Sequence, residues 1–330
     1  MKKQILFIYT DYVTFVQTDF EILSSRHDVT KYQFKPVKGL FKNACQFLKQ
    51  LVVLVMIIWK FNAVYIWFAD YHSFLPVLFA KILKKKSFVV VGGYDVARIS
   101  SLKYGVFVSK FRGFCALFSM KNCSVNMAVS RYVEKKVKWL AKNSNTRLVY
   151  NCVNLSDNKN VELPKENLII TVGLINSERT FRLKGIDTFI EVARLLHDFK
   201  FMIIGMNKDL TGPFLKSLPR NIEFIEAVKH KELEYFYKKA KIYCQFSRSE
   251  SFGVSIIEAI NFGCIPIVTN VGGMPEVIGQ SGKIVRRDVL HIAKEIKTSI
   301  TLFENRNPEE KITSKFSLGM RSSLIISIIS

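Results

Sequence analysis

The chain is 330 residues long, room for two packed cores, and its 49% hydrophobic and 23% charged residues exclude extended disorder. Its formal net charge is +22, and residues 1–150 hold 24 basic against 7 acidic side chains, a net +17. A charge placed this way fits an anionic membrane surface or an anionic acceptor. No nucleic-acid-binding signature accompanies it, so nucleic acid is not expected as a partner.

In chain order, short β-branched or aromatic runs alternate with helical patterns, the mark of a parallel sheet covered on both faces. Met1-Lys2-Lys3 begins like a signal peptide, but Asp11 ends the apolar run too early, and residues 4–9 read as a buried strand. Further strands are expected at 29–34, 63–68, 87–91, 124–129 and 147–150, with helices at 14–25, 40–59, 73–83 and 131–141. The longest apolar stretch, Leu51 to Trp59, has nine residues against the about 20 needed to span a bilayer, so no crossing is expected. Residues 51–59 are apolar all round and are expected to be buried. Lys42 and Lys49 on the same helix, with Lys84-Lys85-Lys86, leave room for peripheral binding to the cytoplasmic membrane face.

The polar stretch from Asn154 lacks apolar periodicity and reads as a linker. The expected division is a domain at 1–153, a linker at 154–166 and a second domain at 167–330, whose last helices cross back to the first. After the linker, strands are expected at 168–172, 201–204, 222–225, 242–246 and 265–268, and helices at 186–197, 232–239, 254–262 and 289–303. Two such α/β domains place a ligand in the cleft between them, at the carboxyl ends of the strands. Six scattered cysteines form no C-x-x-C pair, which suits reduced thiols in a cytoplasmic protein.

Chemistry concentrates after the strand at 242–246, in Ser247-Arg248-Ser249-Glu250-Ser251-Phe252-Gly253-Val254-Ser255-Ile256-Ile257-Glu258-Ala259. A strand, a short turn with Gly253 and a helix beginning at Val254 leave backbone N–H groups free for an anion. Glu250 lies in the turn and Glu258 about one turn inside the helix. Carboxylates at these places suit hydroxyl-rich ligands, because an ionised carboxylate accepts hydrogen bonds from a diol.

This E-x7-E segment resembles the donor-site signature of retaining GT-B glycosyltransferases of glycosyltransferase family 4. The resemblance continues through Gly263, Pro266 and Val271-Gly272-Gly273-Met274-Pro275-Glu276. Thr171-Val172-Gly173-Leu174 and Arg182-Leu183-Lys184-Gly185-Ile186-Asp187 look like the family's strand, loop and helix start. Asn126-Met127-Ala128-Val129-Ser130 and Val149-Tyr150-Asn151-Cys152-Val153-Asn154 resemble its first-domain motifs more loosely, with Cys152 where Gly is usual.

The resemblance implies an α/β GT-B fold, two Rossmann-like domains facing across a cleft, and sugar transfer from a nucleotide-diphosphate donor. By the same resemblance, Glu258 would hold the ribose and Glu250 the donor sugar. Ser251, Phe252, Gly253, Val254 and Gly173 would line the donor site, and Lys184 with an Arg would neutralise the diphosphate. The family's Arg directly follows the Gly, where this chain has Leu174, so Arg182 or Arg179 must stand in. Relatives place a His near Gly92-Gly93; here Asp95 is the alternative, with a turn residue the competing reading, and His72 is a weaker candidate. The absence of D-x-D and of a His/Cys ligand set implies no metal, and the absence of G-x-G-x-x-G after the first strand argues against a nicotinamide cofactor.

The acceptor, a glycan or a lipid-linked molecule of cell-surface polysaccharide or glycolipid synthesis, would belong to the basic first domain. Two other readings stand beside this one: an inactive membrane-associated scaffold that keeps the fold, and another GT-B enzyme such as a nucleotide-sugar epimerase.

Overall fold

A computed structural model describes residues 2–37, 39–153, 163–207, 209–210, 218–303 and 315–330. Most of the expected linker, residues 154–162, and residues 312–314 of the expected tail lie outside them. The chain divides into two compact units: residues up to Cys152 together with Leu318–Ser330, and Val153–Ser317.

The first unit is built on six parallel strands in the order β2-β1-β3-β4-β5-β6: β1 (Gln4–Tyr9), β2 (Asp28–Gln33), β3 (Ala63–Trp67), β4 (Lys86–Val91), β5 (Val125–Ala128) and β6 (Thr146–Leu148). Ile5, Leu6, Phe7 and Ile8 are fully buried, because a parallel strand covered on both faces needs an unbroken apolar run. Burying each such side chain contributes about 2 kcal/mol. The helices are α1 (Thr14–Ser24), α2 (Leu40–Ile57), α3 (Tyr71–Ile82), α4 (Lys110–Asn122), α5 (Arg131–Leu140) and, from the far end of the chain, the last helix (Leu318–Ile329). Polar side chains start several of them: Asp70 and Ser73 form a capping box on α3, and Ser109 and Ser130 cap α4 and α5.

The last helix is anchored by Arg321, 2% exposed, whose guanidinium grips both oxygens of Asp19 on α1 at 2.6 and 2.7 Å. The same guanidinium donates to the carbonyls of Val149 and Tyr150, and Tyr65 Oη donates to Asp19 at 2.6 Å. Both carboxylate oxygens and all three guanidinium nitrogens have partners, which is the condition for a buried ion pair to persist.

The second unit has the strand order β12-β11-β10-β7-β8-β9, again all parallel: β7 (Glu166–Ile175), β8 (Lys200–Met206), β9 (Ile222–Ile225), β10 (Ala240–Gln245), β11 (Ile265–Thr269) and β12 (Lys283–Val285). Its helices are α6 (Glu178–Lys184), α7 (Ile186–Leu195), α8 (His230–Lys239), α9 (Val254–Asn261), α10 (Met274–Ile278) and α11 (Val289–Thr301); the last helix of the first unit is therefore α12. Phe181, Phe189, Phe201 and Phe246 fill the core beneath the sheet.

Among the described residues, the α-helices and strands that escaped the sequence pattern include α4, α6, α10 and β12. In α4 the apolar positions are interrupted by Gly113, which faces Phe107; a Cβ there would stand 3.1 Å from its ring. The expectation for residues 51–59 also needs correction. Only Leu54 and Ile58 in that stretch are buried, while Val52, Val55, Met56 and Trp59 are more than half exposed. The helical stretch Phe41–Lys60 is moreover 20 residues long with mean hydropathy 1.5, which meets by length and composition the requirement for a membrane span. The nine-residue window missed this because it stopped at Lys49.

Candidate functional site

The chemistry-bearing residues of the second unit converge around Glu250. Lys184, the last residue of α6, sends Nζ to Glu250 Oε2 at 2.9 Å. Gln245, the last residue of β10 and 4% exposed, donates Nε2 to the same oxygen at 2.8 Å, while its own Oε1 accepts from Tyr243 Oη. Glu250 Oε1 accepts the Ser251 N–H at 3.2 Å. The carboxylate is thus fixed by three donors, and Oε1 keeps a lone pair for a hydroxyl. Its backbone is held as well: the Gly273 N–H donates to the Glu250 carbonyl at 3.0 Å. Gly272 packs so closely that a Cβ would lie 1.7 Å from that carbonyl oxygen, which explains why the glycine pair follows in this position.

Gly253 begins α9 in the left-handed region, φ +95°, where an L side chain is strained. Among the described residues no side chain caps this helix, and the Ile256 N–H returns to the Gly253 carbonyl at 3.1 Å, so the positive end rests on the N–H groups of Val254 and Ser255. Ser251 and Val254 are half-buried beside it, whereas Phe252 is 2% exposed and stacks edge-on against Phe316. Phe252 therefore contributes packing through its side chain and leaves only its backbone for a ligand. Gly173 adjoins the Lys184 stem; a Cβ there would meet Lys184 Cδ and Cε at 3.7 Å.

One turn inside α9, Glu258 is 7% exposed and held from the side by α8. His230 Nε2 meets Glu258 Oε1 at 2.8 Å, and Tyr237 Oη donates to Oε2 at 3.1 Å. The hydrogen bond to Glu258 raises the His230 pKa above its ordinary 6.5, against the lowering effect of burial. Burial and then the Glu258 charge push the Tyr237 hydroxyl well above its ordinary value, so it stays a donor. Among the described residues each oxygen has one protein partner. Of the carboxylate's roughly four lone-pair sites, two stay open.

Other candidates fall elsewhere. Arg182 is exposed and pairs with Glu178 one turn back at 2.9 Å, so its guanidinium does not join the Lys184–Glu250 group. Arg179 is exposed on the same helix. Arg248, which sequence reasoning passed over, forms a two-pronged pair with Asp187 at 2.9 and 2.6 Å and fastens the α7 start to the loop before Glu250. Leu174, where the family pattern has Arg, is 71% exposed.

Asp95 belongs to the first unit and has no exposed surface. Its oxygens accept the N–H groups of Ala69, Gly92 and Gly93 at 3.1, 3.1 and 2.6 Å, which makes it the organiser of the turn after β4 rather than a group presented to a ligand. Burial nevertheless lifts its pKa from 3.8 to about 6. His72 is likewise buried, with Nε2 on the Trp67 carbonyl. Among the described residues no group of three or more His, Cys, Asp or Glu side chains is placed to hold a metal ion.

Residues 153–312, almost the whole second unit, match the family model for glycosyl transferases group 1. In sequence, 167 residues are 24% identical to the glycogen synthase of Thermosipho africanus, over 45% of this chain and 33% of that protein. The first curated relatives are matched over about a third to a half of their own length. In structure, sucrose-phosphate synthase from Thermosynechococcus elongatus superposes with a TM-score of 0.78 at 14% identity, covering 99% of this chain and 98% of that one. HepE of Anabaena, solved in complex with UDP and glucose, gives 0.72 at 12% identity, over 99% of each chain.

The structural neighbours support a GT-B fold. The two six-stranded parallel sheets are the two halves of the GT-B fold, and the Glu250–Glu258 segment lies inside the part that the family model matches. Two partners of Glu258 were invisible in the E-x7-E segment itself. His230 and Tyr237 share one face of α8, two turns apart, and reach Glu258 from 28 and 21 residues away. Gln245 had a signal: it is a lone amide at the carboxyl end of an apolar strand.

Proposed function

We propose that this chain is a retaining glycosyltransferase of family 4 that takes its sugar from a nucleotide-diphosphate donor bound in the second unit. The observation that carries the reading is the Glu258 carboxylate, buried, fixed by His230 and Tyr237, and left with two lone-pair sites, one helix turn from an uncapped helix start. A ribose diol fits the first feature and a diphosphate the second.

Glu250 then receives hydroxyls of the donor sugar. Lys184 has three N–H donors, one of them on Glu250, and turns the others to the diphosphate as charge develops on the leaving group. The departing phosphate takes the acceptor's proton on the face where the new bond forms, so the anomeric configuration is kept. Positioning and fixed charge carry the rate, without a protein nucleophile or a metal. The acceptor is a glycan or lipid-linked molecule, met by the basic first unit on the cytoplasmic side. HepE's complex with UDP and glucose supports the choice of ligand class.

Calorimetry of the full chain with UDP, GDP and their sugar conjugates, with and without chelator, tests this. Binding of one nucleoside diphosphate that chelator leaves unchanged is expected, and proton NMR of the transfer product should show the donor's anomeric configuration. No binding of any nucleoside diphosphate overturns the proposal.

A further inference from the structure

The first unit carries an apolar face that none of its described residues covers. On α2 and the turn after it, Phe41, Leu48, Val52, Val55, Met56 and Trp59 are between 52% and 81% exposed. Their spacing of three, four and seven places them in one stripe. The opposite edge, Gln50, Leu54 and Ile58, is buried, and Gln50 Nε2 donates to the His72 carbonyl at 2.8 Å. That edge fastens α2 along the unit and leaves the apolar stripe outward. Only 17% of the helix's apolar window is buried.

The stripe does not stand alone. Phe47 of α2 and Phe74 of α3 lie 6.4 Å apart between ring centres, and Phe74 meets Phe114 and Phe118 of α4 at 6.1 and 4.6 Å. Across this aromatic row the face continues to Phe111 and Phe114, 61% and 60% exposed. An apolar face of this extent on a folded unit marks an interaction site.

Charge decides what it meets. From residue 29 to residue 69 there is no Asp or Glu, but there are Lys31, Lys35, Lys38, Lys42, Lys49 and Lys60. Lys81, Lys84 and Lys86 are exposed around the end of α3, and Lys110 and Lys121 at the two ends of α4. A symmetric pairing with a second copy would set these lysines against themselves, and interface centres are depleted in Lys. A bilayer with anionic headgroups takes both features at once: apolar side chains enter the acyl boundary while lysines stay with the phosphates.

We propose that α2, the end of α3 and α4 form a docking face that lays the first unit on an anionic lipid bilayer, with α2 parallel to the surface. This goes beyond the donor chemistry and does not depend on it.

The test is flotation of the full chain with vesicles of phosphatidylcholine alone and of phosphatidylcholine with phosphatidylglycerol, together with Trp59 fluorescence in a Trp139→Phe background. Binding to the anionic vesicles alone, weakened by salt and accompanied by a blue shift, is expected. Trp67 is buried and reports little of the change. Lys42→Glu with Lys49→Glu, both at exposed positions, should weaken partition by about fivefold or more for each lysine. Val55→Ser with Met56→Ser should abolish the blue shift while leaving the circular-dichroism spectrum intact. Equal binding to both vesicle types, or no binding to either, overturns the proposal. So does a dimer in sedimentation that the Val55→Ser, Met56→Ser variant dissolves, since the occupant would then be a second copy.

Discussion

Replacing Glu258 by Ala removes the acceptor pair assigned to the ribose. The two open lone-pair sites would take two vicinal hydroxyls, and a hydrogen bond to a charged acceptor contributes about 1.5–3 kcal/mol. Losing both weakens nucleoside diphosphate binding by about 3 kcal/mol or more, at least a hundredfold. The assay is titration calorimetry of wild type and Glu258→Ala with the nucleoside diphosphate that wild type binds most tightly, and with its 2′-deoxy and 3′-deoxy forms. Wild type should lose about tenfold or more for each missing hydroxyl, and the variant should lose almost nothing further, because the partner is already gone. Tyr237, 1% exposed, loses its acceptor in the variant, so about 1–3 kcal/mol of folding stability goes as well. Binding is therefore compared well below the variant's melting temperature. If the variant binds within twofold of wild type, or keeps the full deoxy penalty, the ribose assignment fails.

The remaining predictions concern protonation and anchoring. The His230 pKa is raised above 6.5 by Glu258, so the stabilising contribution of this pair is complete below 6.5 and disappears as pH rises through the folded value. The gap in melting temperature between wild type and His230→Gln should accordingly shrink on going alkaline, and a gap that widens would contradict it. For Asp95, a lift from 3.8 to about 6 corresponds to about 3 kcal/mol, present in full below pH 3.8 and lost as pH rises through about 6. Denaturant titrations of wild type against Asp95→Asn should show the difference falling across that window, and a pH-independent difference would refute the assignment. Arg321→Ala leaves Asp19 buried without its partner and should destabilise the chain by about 3–5 kcal/mol, measured by urea unfolding. A loss under about 1 kcal/mol would show that water reaches the carboxylate.

The strands were legible because a parallel sheet covered on both faces demands continuous apolar runs, and Gln4–Tyr9 and Ile265–Thr269 stand out as such. Glu250, Gly253 and Glu258 stand at fixed spacing in one segment, so their closeness was legible, whereas Lys184 reaches Glu250 from 66 residues away. The pairing of Arg182 was not legible, because proximity in sequence to Lys184 says nothing of which way a helix turns it; the structure pairs it with the i,i+4 acid Glu178. The outward stripe of α2 was hidden for a related reason. Periodicity shows that a helix has an apolar face, but which side its neighbours cover is settled only by packing. His230 and Tyr237 come from a separate helix, and no local pattern joins them to Glu258.

The anchoring of α12 bears on the order in which the chain can finish folding. Residues 153–317 are synthesised between the body of the first unit and the helix that completes it. At about 5–20 residues per second, that interval lasts roughly 10–30 s. Throughout it Asp19 and Tyr65 lack the guanidinium that closes their network, so the unit made first on the ribosome is the one sealed last. The second unit, continuous in sequence, can complete its fold before α12 reaches Asp19.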